Sequence, residues 1–321
     1  MKVLFPINEN RIDGPENWRR ELVNQLKKDE TIILLGNENF FSKIMKVISS
    51  DVIHSYTQSP QTIFSILIGK IFHKRIIHTV HGNYYEEQKN KKGIKKYLWM
   101  PFNKICVNLA DKVTFPSKYL MKKIEFKSPF IKNKSIIVPN GINLQEIKKV
   151  KEYTKKELGL KKDDFLIVEV TNFNHKKKAK GIDLLIKDFE KLKNKKNNSF
   201  LFILGAGKLL EKYKQRYASN NIHFLGFRND VRRYIKSCDL FVHYSLLDNF
   251  PIVLLEAMAY KKKIIALPTG GIPEFVPKEN LILNKNKEIV YQKINSKYTQ
   301  IEKYSIDHIT KEFEEIYKGE K

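Results

Sequence analysis

Two carboxylates, Asp248 and Glu256, flank an apolar stretch within LDNFPIVLLEAMAY, with seven residues between them. Pro251 stands where a helix can begin, which places Glu256 inside that helix and Asp248 in the loop ahead of it. Carboxylates are good acceptors for the vicinal hydroxyls of a sugar or a ribose in a dry cleft. In the simpler interpretation, Asp248 caps the helix and Glu256 faces water. The spacing therefore raises the hypothesis of a polyol-binding site.

The elements that must position these acids are short β-branched runs, which alternate with helical patterns along the whole chain. This alternation predicts an α/β protein whose parallel sheets are covered on both faces. A chain of 321 residues is too long for one core, so we expect two doubly wound domains joined after VPNGIN. Open parallel sheets bind ligands at the carboxyl ends of their strands, and two facing domains would leave a deep interdomain cleft there.

Glycines, lysines and polar side chains stand at the predicted strand ends, and each alone also fits a plain structural role. The glycines let backbone amides approach phosphate, and helix N-termini add positive potential. GAGK lacks the spacing of a P-loop and of a dinucleotide-binding fingerprint, which argues against a P-loop NTPase and a dinucleotide-dependent oxidoreductase. Together these positions predict an anion and polyol site; they are Gly14, His81, Asn172, Lys180, Gly207, Asn249, Thr269, Gly270, Gly271 and Glu274.

The formal net charge is +25, and residues 89–134 hold 13 lysines against Asp111 and Glu125. Such a stretch attracts anionic lipid, nucleic acid or phosphorylated substrates, although solvated lysine-rich helix faces give the same composition. Cys106 and Cys238 lie far apart without metal-ligand spacing, so neither a disulfide framework nor a zinc site is predicted. No charged-then-apolar segment precedes the first predicted strand. We expect a cytoplasmic protein, located at the inner face of the plasma membrane if the basic stretch binds lipid.

The motifs RIIHTVHG, SIIVPNGIN, KGIDLLI, FLFILGAGKL, NIHFLGF and LLDNFPIVLLEAMAYKKKIIALPTGGIPE follow one another in this order. In sequence and spacing, nearly the whole chain resembles the family 4 retaining glycosyltransferases. The resemblance implies the glycosyltransferase B fold, with two facing Rossmann-like domains. It implies an acceptor-binding domain over 1–148 and a nucleotide-sugar-binding domain over 149–300. The amphipathic tail 301–321, with Ile309, Phe313, Ile316 and Tyr317 on one side, would pack back on the first domain.

The same resemblance implies roles for individual residues. The catalytic contacts would be made by His81 beside the transferred sugar, Lys180 at the diphosphate and Asp248 near the sugar. Glu256 would bind the ribose hydroxyls, and the loop containing Gly14 would close over the phosphates. The implied donor-binding set is Gly14, Asn172, Lys177, Lys180, Gly207, Asn249, Phe250, Pro251, Glu256, Thr269, Gly270, Gly271 and Glu274.

Three positions depart from the family pattern. Asp248 replaces a glutamate and is one methylene shorter, and Lys261 replaces a glycine, which changes the expected end of that helix. Asn172 stands where the family has an arginine, so one positive charge expected at the diphosphate is missing from that position. One of the three lysines in the inserted segment would then supply the missing charge, and the sequence leaves open which: Lys176, Lys177 or Lys178.

The expected reaction is a hexosyltransferase-type transfer, with retention, from a nucleoside diphosphate sugar to a hydroxyl of a glycan or lipid-linked acceptor. Lipopolysaccharide or capsule synthesis is the expected setting, and the basic segment 89–134 would contact an anionic membrane. The absence of a DxD motif predicts no essential metal, and no other cofactor is expected. A degenerate glycan-binding member, an epimerase or phosphorylase of related fold, and a nucleic-acid-binding protein remain as alternatives. No nucleic acid is expected, because the signatures of the common nucleic-acid-binding modules are missing.

Overall fold

The structure is a computed structural model that describes residues 1–6, 14–56, 59–83, 102, 104–282, 298 and 300–321, with only the backbone for 14–17. The chain forms two compact units, Met1–Gly141 together with Lys303–Lys321, and Ile142–Glu302. Residues 142–148, which we expected in the first domain, therefore belong to the second unit. The reason is that the short helix Leu144–Lys149 packs against the helix Ile252–Ala259 of the second unit.

The first unit is built on a six-stranded sheet in which all neighbouring strands are parallel, in the order β2-β1-β3-β4-β5-β6. Its apolar strands are buried between helices, as continuous β-branched runs predict. The strands and helices are β1 Lys2–Pro6, α1 Gly14–Leu26, β2 Thr31–Leu35, α2 Phe40–Ser49, β3 Val52–Ser55, α3 Pro60–Ile71, β4 Arg75–Thr79, β5 Lys112–Phe115, α4 Lys118–Glu125 and β6 Ser135–Ile137.

The second unit has a five-stranded parallel sheet in the order β11-β10-β7-β8-β9. Its core joins the buried faces of the sheet and of the long helix α6. The strands and helices are α5 Leu144–Lys149, β7 Phe165–Val170, α6 Lys176–Lys195, β8 Ser199–Leu204, α7 Leu210–Tyr217, β9 Ile222–Gly226, α8 Val231–Ser237, β10 Leu240–His243, α9 Ile252–Ala259 and β11 Lys263–Ala266.

The tail forms helix α10, Ile306–Lys318, and belongs to the first unit. The Tyr317 hydroxyl lies 2.5 Å from His54 Nδ1 on β3, and Arg75 Nε donates to the Ile316 carbonyl at 3.0 Å. The four residues predicted on its apolar side, Ile309, Phe313, Ile316 and Tyr317, are all buried. Among the described residues, every helix is either too short or too polar to cross a bilayer.

Two helices differ from the sequence prediction. The apolar pattern predicts a helix over 181–193, but α6 begins at Lys176, so Lys180 lies within the helix instead of ahead of it. Lysine and alanine are good helix formers, and Gly181 is accommodated there by tertiary packing that the sequence does not reveal. Helix α5 lies directly after VPNGIN, where the sequence predicts only a connection between the two domains. The pattern also predicts a helix over 94–110; residues 102 and 104–109 are helical, and 94–101 and 103 lie outside the described residues.

Candidate active site

Strand β10 lies between β7 and β11, so the loops that follow these three strands emerge side by side. This carboxyl edge of a parallel sheet is the usual position of a ligand site. Most of the predicted site residues lie in the loops of this edge or in the first turns of helices α6 and α9. We call this region the donor edge.

A chain of alternating charges, here called the charge network, lies at the donor edge. Lys178 Nζ donates to Asp248 Oδ2 at 2.8 Å, and His243 Nε2 lies 3.3 Å from the same oxygen. On the other side of the imidazole, Nδ1 lies 3.5 Å from Glu169 Oε1, a charge contact that is too long for a good hydrogen bond. Glu169 is fully buried, and its Oε2 accepts from the Tyr244 backbone amide at 2.8 Å. Two carboxylates and two bases thus alternate.

The electrostatics of the charge network favour an ionised Asp248 and a protonated His243. Burial raises the pKa of the Asp248 carboxyl, but Lys178 and His243 outweigh burial and hold that pKa well below its usual range. Burial lowers the pKa of His243, but Asp248 and Glu169 outweigh it and raise the pKa to about 9. Burial raises the pKa of Glu169 above its ordinary value. At neutral pH His243 is therefore an imidazolium that bridges two acids.

Helix phase determines which lysine reaches Asp248. Lys178 precedes Ile182 by four residues and Leu185 by seven, and both of these side chains are buried on the inner face of α6. Lys177 and Lys180 are exposed on other faces of the helix. Of the three lysines that the sequence left open, Lys178 is the one that pairs with Asp248. The donor-binding roles of Lys177 and Lys180 stay predictions.

Two glycines allow the close packing that forms the donor edge. A Cβ on Gly181 would lie 1.5 Å from the Tyr244 carbonyl oxygen, so only glycine lets α6 approach the end of β10. Gly270 has φ +63°, and a Cβ there would lie 1.6 Å from the Asp248 carbonyl oxygen. Next to it, Gly271 N donates to Asn249 O at 3.1 Å. The loops after β10 and β11 are thereby held together, with Asp248 at their contact.

The loops after β7 and β8 are joined in the same way. Asn172 is exposed, and its side chain accepts from the Asn174 amide at 2.9 Å, so it stabilises a local turn. Asn174 Oδ1 in turn accepts from Lys208 N at 3.1 Å. Gly207 has φ +144°, and a Cβ would lie 2.3 Å from Asn174 N. These contacts give Asn172 and Gly207 positions at the donor edge, but Asn172 brings no charge to it.

Glu256 is buried on α9, and its Oε1 accepts from Arg232 Nε on α8 at 2.7 Å. The alternative in which Glu256 simply faces water is therefore wrong. Pro251 caps the start of α9, as expected. At the other end, Lys261 takes φ +54°, so this lysine adopts the left-handed conformation that glycine favours in this position.

The remaining predicted residues of this unit shape the loops after β10 and β11. Phe250 is buried, and its ring centroid lies 4.5 Å from that of Phe275. Thr269 N donates to Leu267 O at 2.7 Å, which tightens the turn that leads to Gly270. Glu274 is exposed at the end of the short 3-10 turn Ile272–Glu274.

Two predicted site residues belong to the first unit. Gly14 is the first residue of α1, and residues 7–13, which precede it, lie outside the described residues. On the same helix, the buried Trp18 packs edge-on against His81, with ring centroids 4.4 Å apart. His81 follows β4, so α1 and His81 meet at the carboxyl edge of the first sheet.

The sequence prediction missed Glu169 and His243. A signal existed for both: each is an ionisable residue within an otherwise apolar strand pattern, FLIVEV and LFVH, where burial demands a partner. In the described part of the chain, no group of three or more His, Cys, Asp and Glu residues is arranged to hold a metal ion. What the donor edge offers is backbone amides, a lysine and buried carboxylates, which together suit a ligand with phosphates and hydroxyls.

Comparison with known proteins agrees with this geometry. The family model of glycosyl transferases group 1 matches residues 150–306, and that of glycosyltransferase family 4 matches residues 15–146. An uncharacterized glycosyltransferase of Methanocaldococcus jannaschii is 29% identical over 289 residues, which make up 85% of this chain and 74% of that protein.

Two further matches have a uridine nucleotide in their descriptions. The Escherichia coli UDP-Gal:alpha-D-GlcNAc-diphosphoundecaprenol alpha-1,3-galactosyltransferase is 25% identical over 237 residues, 68% of this chain and 57% of the relative. The crystal structure of Anabaena HepE in complex with UDP has a TM-score of 0.78 at 16% identity and covers 99% of this chain and 100% of that chain. This similarity confirms the predicted glycosyltransferase B type of fold.

Proposed function

This chain belongs to family 4 of the glycosyltransferases, a retaining family that uses nucleotide-sugar donors, and we propose that it transfers a hexose from a UDP-sugar to a lipid-linked glycan in envelope polysaccharide synthesis. The uracil base is proposed because UDP is the nucleotide named for both HepE and the E. coli relative. The lipid-linked acceptor is proposed because the E. coli relative acts on a diphosphoundecaprenol substrate.

The observation that carries the proposal is the placement of Lys178, Asp248 and the Gly270–Gly271 turn in one cluster at the donor edge. In this proposal Asp248 accepts from a hydroxyl of the transferred sugar, and Glu256, oriented by Arg232, accepts from the ribose hydroxyls. Lys178 supplies the positive charge that the family arginine would give, and amides near Gly271 contribute to diphosphate binding. Charges fixed in advance stabilise the negative charge that develops on the leaving group.

The proposed reaction exchanges one bond at the anomeric carbon for another on the same face of the sugar. The bond from the anomeric carbon to the diphosphate oxygen breaks, and a bond to the acceptor hydroxyl oxygen forms. The hydroxyl proton passes to the leaving diphosphate oxygen. No protein nucleophile and no metal is required for this balance, and His81 of the first unit is proposed to contact the transferred sugar.

A transfer assay tests the proposal. The protein is incubated with UDP-, GDP- and ADP-hexoses and a synthetic polyprenyl diphosphate sugar acceptor, and glycolipid formation is measured. We expect turnover with a UDP-hexose. Lys178→Gln should lower kcat/KM about 100-fold, the usual cost of removing one stabilising charge, whereas Lys187→Gln, at an exposed position further along the same helix, should stay within about threefold. Turnover only with GDP or ADP donors would contradict the UDP assignment, and equal effects of both variants would contradict the role of Lys178.

A further inference from the structure

Outside the candidate active site, the first unit carries a basic aromatic surface formed by residues 118–134, here called the α4 tip. It comprises helix α4 and the 3-10 turn Pro129–Lys134. Phe126 is 79% exposed and Phe130 is 83% exposed, and no other large hydrophobic side chain in the described residues is as exposed. Phe126 and Phe130 are four residues apart in the sequence, and exposed apolar side chains that are grouped in this way and rimmed by polar residues indicate a contact surface.

The two phenylalanines are held outward by rigid neighbours. Ile124 and Ile131 are fully buried, and Ser128 between them is also buried. The Ser128 amide donates to the Ile124 carbonyl at 2.9 Å, which fixes the turn. Because the buried residues alternate with Phe126 and Phe130, the ordered backbone itself presents both rings to solvent.

The charge around these rings is strongly positive. The exposed cations of the α4 tip are Lys118, Lys122, Lys123, Lys127 and Lys132. Glu125 is the one acidic residue between positions 118 and 134. Clusters of lysine beside exposed aromatic rings are typical of protein surfaces that rest on anionic lipid, where each lysine near the surface strengthens partitioning about fivefold.

Comparison with other exposed apolar residues distinguishes the α4 tip. Phe40 and Phe41 on α2 are also exposed, at 68% and 72%. There, however, the two lysines of the helix, Lys43 and Lys46, are only partly exposed, whereas the α4 tip carries five exposed lysines. Exposed rings and a positive field therefore coincide at the α4 tip.

A bilayer fits the α4 tip better than a nucleic acid. Lys127 Nζ lies 5.2 Å from the centroid of the Phe126 ring, so the protein's own cation covers a face that a stacked base would need. A ring that enters a lipid interface needs no free face. We propose that the α4 tip docks the first unit on an anionic phospholipid bilayer, with Phe126 and Phe130 in the interface and the lysines against lipid phosphates.

Vesicle co-sedimentation tests this proposal. The full chain is mixed with vesicles of phosphatidylglycerol and phosphatidylcholine or of phosphatidylcholine alone. We expect at least tenfold stronger partitioning to the anionic vesicles, weakened by salt. Phe126→Ser with Phe130→Ser should weaken it about 100-fold, since each phenylalanine that enters the interface contributes about tenfold. The matched double variant Phe40→Ser with Phe41→Ser should stay within twofold of the wild type.

UDP affinity is measured by calorimetry for each variant as a control. It should not change, because the donor edge lies in the other unit. Retained UDP affinity together with lost vesicle binding supports the proposal independently of the sugar acceptor. Equal binding to both vesicle types, or equal losses from both double variants, would overturn it. Binding to single-stranded RNA without vesicle binding would also overturn it and would assign the α4 tip to nucleic acid.

Discussion

Replacing Asp248 by asparagine is expected to lower sugar transfer about 10²–10³-fold and to destabilise the second unit by about 2–3 kcal/mol. The rate falls because the amide accepts a sugar hydroxyl less well and leaves Lys178 and His243 without their shared anion. Removing one partner of a buried pair costs about 3–5 kcal/mol. We expect a loss of only about 2–3 kcal/mol, because the Lys178 side chain is 24% exposed and water partly solvates its charge. Steady-state transfer kinetics and urea unfolding measure the two effects.

Asp239→Asn is the matched control for this prediction. Asp239 pairs with Lys155 in the same unit and accepts from Leu166 N at 2.7 Å, but it precedes β10, whereas Asp248 follows that strand. The control should lose stability and keep its transfer rate per folded molecule. If both variants lost transfer only in proportion to their stability, Asp248 would have a structural role alone.

The pH dependence of stability gives a second readout of the Asp248 variant. The pKa of His243 is raised from 6.5 to about 9 in the folded state, so its proton contributes fully below pH 6.5, and this stability is lost as the pH rises through about 9. Asp248→Asn removes one of the two carboxylates that raise this pKa. The variant should therefore lose less stability than the wild type between pH 6.5 and 9.5. An identical loss in both would show that His243 is not coupled to Asp248.

Gly270→Ala is expected to weaken UDP binding at least 30-fold and to destabilise the second unit by about 3 kcal/mol or more. Alanine pays about 1 kcal/mol for the left-handed conformation at φ +63°. Its Cβ would also lie 1.6 Å from the Asp248 carbonyl oxygen, so the loop that carries Asp248 must move. Overpacking of this kind costs a further 1–3 kcal/mol or more. Calorimetric titration with UDP and urea unfolding measure both effects.

Gly226→Ala separates backbone conformation from close approach. Gly226 has φ +71°, nearly the angle of Gly270, but a Cβ there would meet nothing within 4 Å. This variant should cost about 1 kcal/mol and leave UDP affinity unchanged. If it weakened UDP binding as strongly as Gly270→Ala, the contact between Gly270 and the Asp248 carbonyl would not explain the loss.

Local patterns predicted most of the strands and helices because burial in a parallel sheet leaves continuous apolar runs. The pattern of residues 118–125 predicts a helix, and α4 spans Lys118–Glu125. The start of α6 was wrong because Gly181 is a helix breaker by propensity. Its presence within the helix depends on the approach of Tyr244 O, which is a contact between residues distant in sequence.

Candidate site residues could be recognised where an ionisable residue interrupts an apolar run, as at Asp248 and Glu256. Choosing Lys178 over its two neighbours requires the phase of α6, and that phase follows from where the helix begins. The partnership of Glu169 with His243 depends on the register of β10 against β7, in which Val242 lies beside Glu169. Register between strands separated by some 70 residues is set by the packed core and cannot be read from either strand alone.

Hydrogen exchange with and without UDP tests the central claim, that the donor edge of the second unit binds the nucleotide of the donor. With saturating UDP, amides in 172–175, 205–208, 245–251 and 268–274 should exchange at least fivefold more slowly. Amides at the opposite edge of the same sheet, in 161–164, 196–198, 219–221 and 261–262, should be unchanged. Protection confined to that opposite edge or to the first unit, or no protection at a UDP concentration that fully inhibits transfer, would contradict the claim.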